Sequence, residues 1–388
     1  MNWNIPEFNP YNVKHYVIAL IIAILVVCIF VIIKKIIVGT NCNNEQMIDI
    51  PHKKGTWSRN TCGYQMTPTI VNELKNEDIH ESSDSWNLYF PCGYDEIDKE
   101  IEQMPVKDGA KYFIIDDSDT MVAKEWLWQH VVAHQGLDKA KMLMPNGYVL
   151  YNPIDMERFK QEFDSKKIYI MKKNIQRQEG LKITNSFDEI LDGSTKGYAL
   201  VQELLQDPYL ISGRKTNMRV YVLITCLGDE INVFAHENGF MYYTKDMFKK
   251  NSLEDGPNIT TGYIDRQVYV DNPLTHADLK VYLDDPKRTL IDPEKTIRNQ
   301  GLKISEVYFN RIYHLLREVF ISFVGRIHKN KKFSNNLMFQ LFGIDIAVND
   351  SLQVQIIECN KGPDLGAKDD KDSALKHGVV NDVLKIVG

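Results

Sequence analysis

Leu341-Phe342-Gly343-Ile344-Asp345-Ile346-Ala347-Val348, then Asn349-Asp350-Ser351, then Leu352 to Asn360: two β-rich runs flank a polar turn, and the pattern predicts a β-hairpin. Its acids stand where a hairpin core is normally apolar. Asp345 sits among aliphatic residues, and Glu358 and Asn360 close the second run. Residues two apart on a strand share a face, so Glu358 and Asn360 point the same way. A two- or four-residue loop is expected to bring Asp345 to that face as well. Apposed carboxylates in a semi-buried sheet repel unless a cation lies between them. Oxygen-only ligands suit Mg²⁺, which takes a few carboxylates together with nucleotide phosphates. The competing reading is a surface hairpin with solvated acids.

Outward from this stretch, the 388-residue chain is long enough for two or three lobes and a sizeable core. The net charge of −6 argues against broad nucleic-acid binding, which favours a basic stripe. Residues 16–33 form an unbroken apolar run of 18 residues closed by Lys34-Lys35. That length predicts an uncleaved transmembrane anchor rather than a secretory signal. Lys34, Lys35, Lys53 and Lys54 follow the run and only Lys14 precedes it, so the positive-inside rule places the bulk of the chain on the cytosolic side. The high Asn, Lys and Ile content suits an AT-rich genome such as a large virus, which would put the protein in a host membrane or virion. Six cysteines form no metal-type spacing. Cys226 and Cys359 read as core thiols, and Cys42, Cys62 and Cys92 are expected to stay unpaired on the cytosolic side.

Residues 39–105 carry no chemistry that the sequence identifies and start as a linker. From Lys111 the pattern sharpens. A strand at 111–116 precedes a helix over 121–132, with Asp119-Thr120 as its cap and Lys124 in its first turns. The strand 167–173 presents Lys172 and leads into a polar loop at 174–179 and Gly180. A lysine ending a strand before a flexible loop has the layout of a phosphate lid, with a charged hairpin as the alternative. In the strand from Lys215 to Ile224, Lys215, Asn217 and Arg219 share one face and Met218, Val220 and Val222 the other. This predicts a groove wall, or else a half-exposed edge strand. A strand at 231–236 resumes past Glu237-Asn238-Gly239 at 240–244. An amphipathic helix is expected over 307–327, with Ile312, Leu315, Leu316, Val319, Phe320 and Phe323 as its buried stripe.

In this order, the parts resemble the ATP-grasp plan and, in particular, the tubulin–tyrosine ligase-like family. The most specific pieces are Pro208-Tyr209-Leu210 through Gly213-Arg214-Lys215-Thr216-Asn217-Met218-Arg219, and Phe342-Gly343-Ile344-Asp345 followed by Ile357-Glu358-Cys359-Asn360. The resemblance covers roughly Lys111 to the C-terminus. It implies an α+β ATP-grasp fold, two lobes sandwiching ATP, behind the N-terminal anchor. The units expected are an anchor (1–38), a linker and unreadable region (39–105), an N-terminal lobe (106–154), a central lobe with the lid (155–205) and a C-terminal lobe with the metal site (206–388).

The roles it implies fall on named positions. Lys124 and Lys172 contact ATP phosphates, and Gln202, Glu203 and Leu204 form the hinge beside adenine. Lys215 and Asn217 line the nucleotide site. Arg219 holds the γ-phosphate or the forming acyl phosphate. Asp345, Glu358 and Asn360 bind Mg²⁺, and Arg219, Lys215 and Glu358 carry the catalysis. The implied function is an ATP-dependent ligase that joins a free amino acid (Tyr, Glu or Gly) to a protein carboxylate, tubulin or a tubulin-like tail, through an acyl phosphate. Three departures stand out. Asn217 replaces the acid of the family's Lys-Phe-Asp-Ile-Arg. Tyr242 stands where the family carries an arginine after the Asn238-Gly239 turn. Asn258-Ile259-Thr260-Thr261 replaces His-Leu-Thr-Asn. The first two favour a second reading, a membrane-tethered and catalytically weak ATP-binding scaffold.

Overall fold

The computed structural model describes residues 55–388 apart from 60–61, 63–64, 94–95, 176–179 and 263. The anchor expected at 1–38, its linker up to residue 54 and most of the lid loop lie outside the described residues. Among the described residues no helix is long and apolar enough to cross a membrane.

Four short strands come first: β1 (Thr56–Ser58), β2 (His80–Glu81), β3 (Leu88–Tyr89) and β4 (Lys111–Tyr112). The next four, β5 (Gly147–Val149), β6 (Tyr169–Lys172), β7 (Leu181–Thr184) and β8 (Leu200–Glu203), build a small antiparallel sheet in the order β5-β8-β6-β7. The remainder are β9 (Leu210–Ile211), β10 (Arg214–Leu227), β11 (Glu230–Thr244), β12 (Thr260–Thr261), β13 (Leu337–Val348) and β14 (Val354–Lys361). These join β1–β4 in a ten-stranded sheet ordered β12-β11-β10-β13-β4-β3-β1-β2, with β14 on β13 and β9 on β10. The architecture is mixed α+β, in agreement with the ATP-grasp plan.

The stretch read as linker and unreadable region is, from Gly55 on, part of the large sheet. β1, β3 and β4 pair in parallel and β4 continues onto β13 through Leu337↔Lys111. Trp57, Ile70, Leu74, Leu88 and Phe90 share one apolar cluster with Tyr221, Leu223, Phe339 and Leu341 of the long strands and with the last helix, Asp370–Val387. The β1–β3 pairing also corrects the cysteine expectation. It runs the segments after Ser58 and Tyr89 side by side, Arg59 donates to the carbonyls of Pro91 and Cys92, and Cys62 and Cys92 form a disulfide with Cα atoms 5.4 Å apart. Cys226 and Cys359 are buried free thiols.

Three element expectations change in detail. The helix expected over 121–132 breaks at Ala123, whose ψ of 121° is extended, into Asp119–Val122 and Lys124–Gln135. Asp119 caps neither piece, because its carboxylate pairs with Lys361 at 2.5 Å. β11 is a single strand from Glu230 to Thr244, but its pairing with β10 bulges at 236–238, between the Val220↔Gly239 and Val222↔Ala235 pairs. The long amphipathic helix spans Ile304–Phe320 and ends in a 3-10 turn at Ile321–Phe323, still burying Ile312, Leu315, Leu316 and Val319.

Candidate active site

The decisive hairpin forms by a different route from the one expected. Its loop has five residues, 349–353, between the paired Val348 and Val354. Asn349 Oδ1 accepts from the N–H groups of Ser351 (3.1 Å) and Gln353 (2.8 Å), the local bonding that makes asparagine a turn former. Without interruption, this register would oppose Asp345 to Ile357 and turn Glu358 to the other face. A β-bulge between Asp345 and Ile346 absorbs one residue of β14, and Asp345 pairs with Glu358, Gly343 with Asn360. Bulges re-aim side chains in this way beside functional sites. The two carboxylates converge because of it.

These acids form one wall of a cleft of about 730 Å³ between the large and small sheets. The cleft is lined by every position that the sequence assigned to the site: Lys124, Lys172, Gln202, Glu203, Leu204, Lys215, Asn217, Arg219, Asp345, Glu358 and Asn360. Period-two alternation on β10 sends Lys215, Asn217 and Arg219 into it. Met218 and Val220 on the other face are buried in the main core.

Each acid has a basic partner. Arg219 Nε lies 2.5 Å from Asp345 Oδ1 and its Nη2 2.9 Å from Oδ2, a bidentate pair. Lys124 Nζ lies 2.9 Å from Glu358 Oε1 and also donates to Ile175 O at 3.3 Å. Asn360 Nδ2 stands 3.4 Å from Asp345 Oδ2. Burial raises the Asp345 carboxyl above the usual carboxylate range, Arg219 pulls it back, and Glu358 raises it further. The Arg219 guanidinium, although burial opposes its charge, is held well above its ordinary value by Asp345 and Tyr242.

Lys172 and Lys215 are buried, and among the described residues neither has a carboxylate in hydrogen-bond reach. They reach backbone carbonyls instead, Ile357 O and Leu205 O, each at 3.4 Å. Burial lowers Lys172 to about 8, with Glu358 opposing and Lys124 adding to the shift. Burial and the neighbouring Lys172 lower Lys215 to about 8. Clustered, desolvated ammonium groups of this kind match a polyanion, which satisfies them all at once.

The lid's base is fixed to the helix that carries Lys124. Asn174 Oδ1 accepts from Lys124 N–H at 3.1 Å, and its Nδ2 donates to the Glu125 carboxylate at 2.7 and 2.6 Å. At the opposite end of the cleft the wall is apolar. Ile168, Ile170 and Ile183 are buried, with Leu181, Leu204 and Ile259 packed on them. Ile259 was not identified from the sequence as a site residue. The hinge positions are partly committed: Glu203 N–H and Leu204 N–H donate to Asn146 O and Ile168 O, and the Glu203 carboxylate pairs with Lys167 at 2.9 Å. Lys361, Asp364 and Lys368 also line the cleft and were missed; their place immediately after Glu-x-Asn was the available signal.

Two departures from the family pattern are neighbours. Asn217 and Tyr242 are directly paired across β10 and β11. Asn217 Nδ2 donates to Thr260 Oγ1 at 2.7 Å. Arg219 Cζ lies 5.2 Å from the centroid of the Tyr242 ring, and burial pushes the Tyr242 hydroxyl up to about 12, so position 242 carries no charge.

Among the described residues no group of three or more His, Cys, Asp and Glu is placed to hold a metal ion. Two buried-wall carboxylates and an amide fit Mg²⁺ nonetheless, because that ion draws its remaining ligands from phosphates and water.

The family model described as "Tubulin-tyrosine ligase family" matches residues 114–388. The chain belongs to the tubulin-tyrosine ligase family. Similar members include a probable beta-tubulin polyglutamylase of Tetrahymena thermophila, 24% identical over 65% of this chain and 22% of its own length. Another is the probable tubulin polyglutamylase ttll-9 of Caenorhabditis elegans, 24% identical over 63% of this chain and 58% of its own length. The probable tubulin polyglutamylase TTLL2 of Mus musculus is 22% identical over 83% of this chain and 60% of its own length. This tubulin-tyrosine ligase family chain therefore spans less than two thirds of each of these relatives.

Proposed function

We propose that the chain is an ATP-dependent carboxylate–amine ligase that adds an amino acid to a protein carboxylate, with glutamate the amino acid and an acidic, tubulin-type tail the acceptor. The observation that carries the reading is the joint placement of Lys172, Lys215 and Lys124 opposite Asp345, Glu358 and Asn360 in a cleft with an apolar far end. The apolar end takes the base and the lysines take the triphosphate. Asp345, Glu358 and Asn360 would hold Mg²⁺, which when bound would neutralise charge on the phosphates. Arg219, beside Asp345, steadies the phosphoryl group as it moves to the acceptor carboxylate, giving ADP and an acyl phosphate. The amine of the incoming amino acid then attacks the acyl carbon, and phosphate leaves as the amide forms. No side-chain nucleophile is required. The choice of glutamate follows the names of the similar proteins, several of them polyglutamylases.

The test is ADP release and the mass of purified tubulin tails, with Mg²⁺, ATP and an amino-acid mixture, for wild type and Glu358→Gln. A mass gain that disappears in Glu358→Gln is the expected result. Tight nucleotide binding without turnover on any acceptor would replace the ligase by the ATP-binding scaffold, the reading that the uncharged Asn217–Tyr242 pair favours.

The apolar run at 16–33 supports membrane attachment, and the flanking lysines support a cytosolic active site. The Cys62–Cys92 disulfide weighs the other way, since disulfides persist in oxidising compartments. Alkaline extraction of membranes tests the attachment. Thiol-alkylation mass shifts of the protein taken from cells test the side.

A further inference from the structure

The helix that carries Lys124 begins without a cap of its own. The chain enters it at Ala123, extended at a ψ of 121°, and an alanine side chain accepts nothing from the first-turn N–H groups. The cap comes instead from the small sheet, fifty residues further along the chain. Asn174 Oδ1 takes the Lys124 N–H at 3.1 Å, and Asn174 Nδ2 donates to both oxygens of Glu125, at 2.7 and 2.6 Å. These partners fix which end of the amide is which, since a backbone N–H only donates and an ionised carboxylate only accepts. Aspartate caps helices equally well but has no hydrogen to give a carboxylate.

Glu125 depends on this bond. It is buried, and among the described residues no basic side chain pairs with it; its further partner is the Tyr151 hydroxyl at 3.4 Å. A buried carboxylate that loses its donors is strongly destabilising.

The contacts converge on Lys124. Asn174 holds its backbone, while its ammonium donates to the carbonyl of the next residue, Ile175, at 3.3 Å and pairs with Glu358 Oε1 at 2.9 Å. Asn174 also stands two residues beyond Lys172, just past the point where Lys173 N–H donates to Gly180 O and closes the β6–β7 ladder. One amide therefore sets the helix start that aims Lys124 and is tied to the strand end that aims Lys172. Both lysines line the cleft, and Asn174 and Glu125 stand behind them.

We infer that Asn174 and Glu125 are positioning residues: their amide–carboxylate bond registers Lys124 against Lys172, so that the two ammonium groups meet one polyanion together. This rests on the nucleotide-binding half of the proposed function and holds for ligase and scaffold alike.

The experiment measures calorimetric binding of a non-hydrolysable ATP analogue with Mg²⁺, beside thermal melting, on the full chain. The proteins are wild type, Asn174→Asp, Asn174→Ala, Glu125→Gln and the double variant Asn174→Asp with Glu125→Gln. Asn174→Asp sets two carboxylates against each other, and its dissociation constant is expected to rise about ten- to a hundredfold at about pH 8. At about pH 5.5 the ratio to wild type at the same pH narrows, because one proton shared by the two carboxylates restores a donor. Asn174→Ala removes both bonds without repulsion; it weakens binding too, with no recovery at low pH, and keeps the test open if Asn174→Asp does not fold. Glu125→Gln alone costs less, because its amide oxygen still accepts from Asn174 Nδ2. The double variant returns close to wild type: the carboxylate now at 174 accepts from Lys124 N–H, and the amide now at 125 donates back to it.

A bond that only stabilises the fold predicts lower melting temperatures in the single variants and an unchanged dissociation constant throughout. That result overturns the inference, as does a double variant that regains its melting temperature without its affinity. If wild type binds no analogue, the proposed function and this inference fall together. If the series responds as expected but wild type transfers no amino acid to any acceptor, the ligase falls and the role of Asn174 and Glu125 stands.

Discussion

At the scale of single residues, the two buried lysines carry most of the meaning. An ammonium held at about 8 in the folded chain, against an ordinary 10.5, costs on the order of 3 kcal/mol of stability at neutral pH. The folded-state value lies below the unfolded one, so between about pH 8 and 10.5 the unfolded chain binds more protons and stability rises with pH. Below pH 8 the penalty is present in full. Nucleotide reverses this, because a triphosphate beside the lysines restores their protonation. We predict that an ATP analogue binding near pH 8.5 takes up protons, measured by calorimetry in buffers of different ionisation enthalpy. Lys215→Met is expected to lose nucleotide affinity. The same variant gains roughly 2 kcal/mol in ligand-free urea unfolding at pH 7 and shows a flatter pH dependence. A ligand-free Lys215→Met that is less stable than wild type would contradict the account.

At the scale of elements, legibility divides by whether geometry is local. The β10 face of Lys215, Asn217 and Arg219 follows from period two and was readable. So were the two strands carrying Asp345 and Glu358. The bulge that brings those acids opposite each other was not, because the extra residue is placed by pairing with β13 rather than by anything in Ile356-Ile357 themselves. The break at Ala123 was likewise hidden: alanine is the best helix former, and what interrupts it is tertiary. Ile259, noted only as part of a departure from the family pattern, was not assigned to the site because an aliphatic residue in a polar loop has no periodic partner.

The same strands give a prediction. A Cβ on Gly343 would lie 2.8 Å from Arg219 Cδ and 3.0 Å from Pro363 Cβ. Gly343→Ala therefore pushes the Arg219 side chain from Asp345 and lowers ADP release by about tenfold or more, with the melting temperature within a few degrees of wild type. Gly239→Ala is the contrast: its Cβ would collide with the Arg219 backbone carbonyl and the His276 ring, neither of which can yield, so it is expected to lose folded protein on expression.

At the scale of the whole molecule, the strands that looked like a linker are structural. β1, β2 and β3 are only two or three residues long, too short for a periodic signal, yet they complete the ten-stranded sheet. Thr69 Oγ1 donates to Leu365 O at 2.7 Å, and His377 pairs with Glu73 at 2.5 Å, so the helix Pro68–Asn76 also holds the segment that follows β14. A chain begun at residue 106 exposes Tyr221, Leu223, Phe339 and Leu341 on the uncovered sheet face. It is expected to aggregate or melt well below a chain begun at residue 52, as measured by thermal circular dichroism and sedimentation. Equal melting temperatures would make the N-terminal strands dispensable.

The pairing of Arg219 with Asp345 and of Lys124 with Glu358 has a kinetic corollary. If the proposed function holds, a bare divalent ion would find these acids already countered and would gain little by arriving alone. A metal–nucleotide complex would bring phosphates able to take over Arg219 and Lys124 as the acids turned to the metal. Loading would then be an exchange of four partners in one step, with metal and nucleotide expected to enter as a single ligand rather than in sequence.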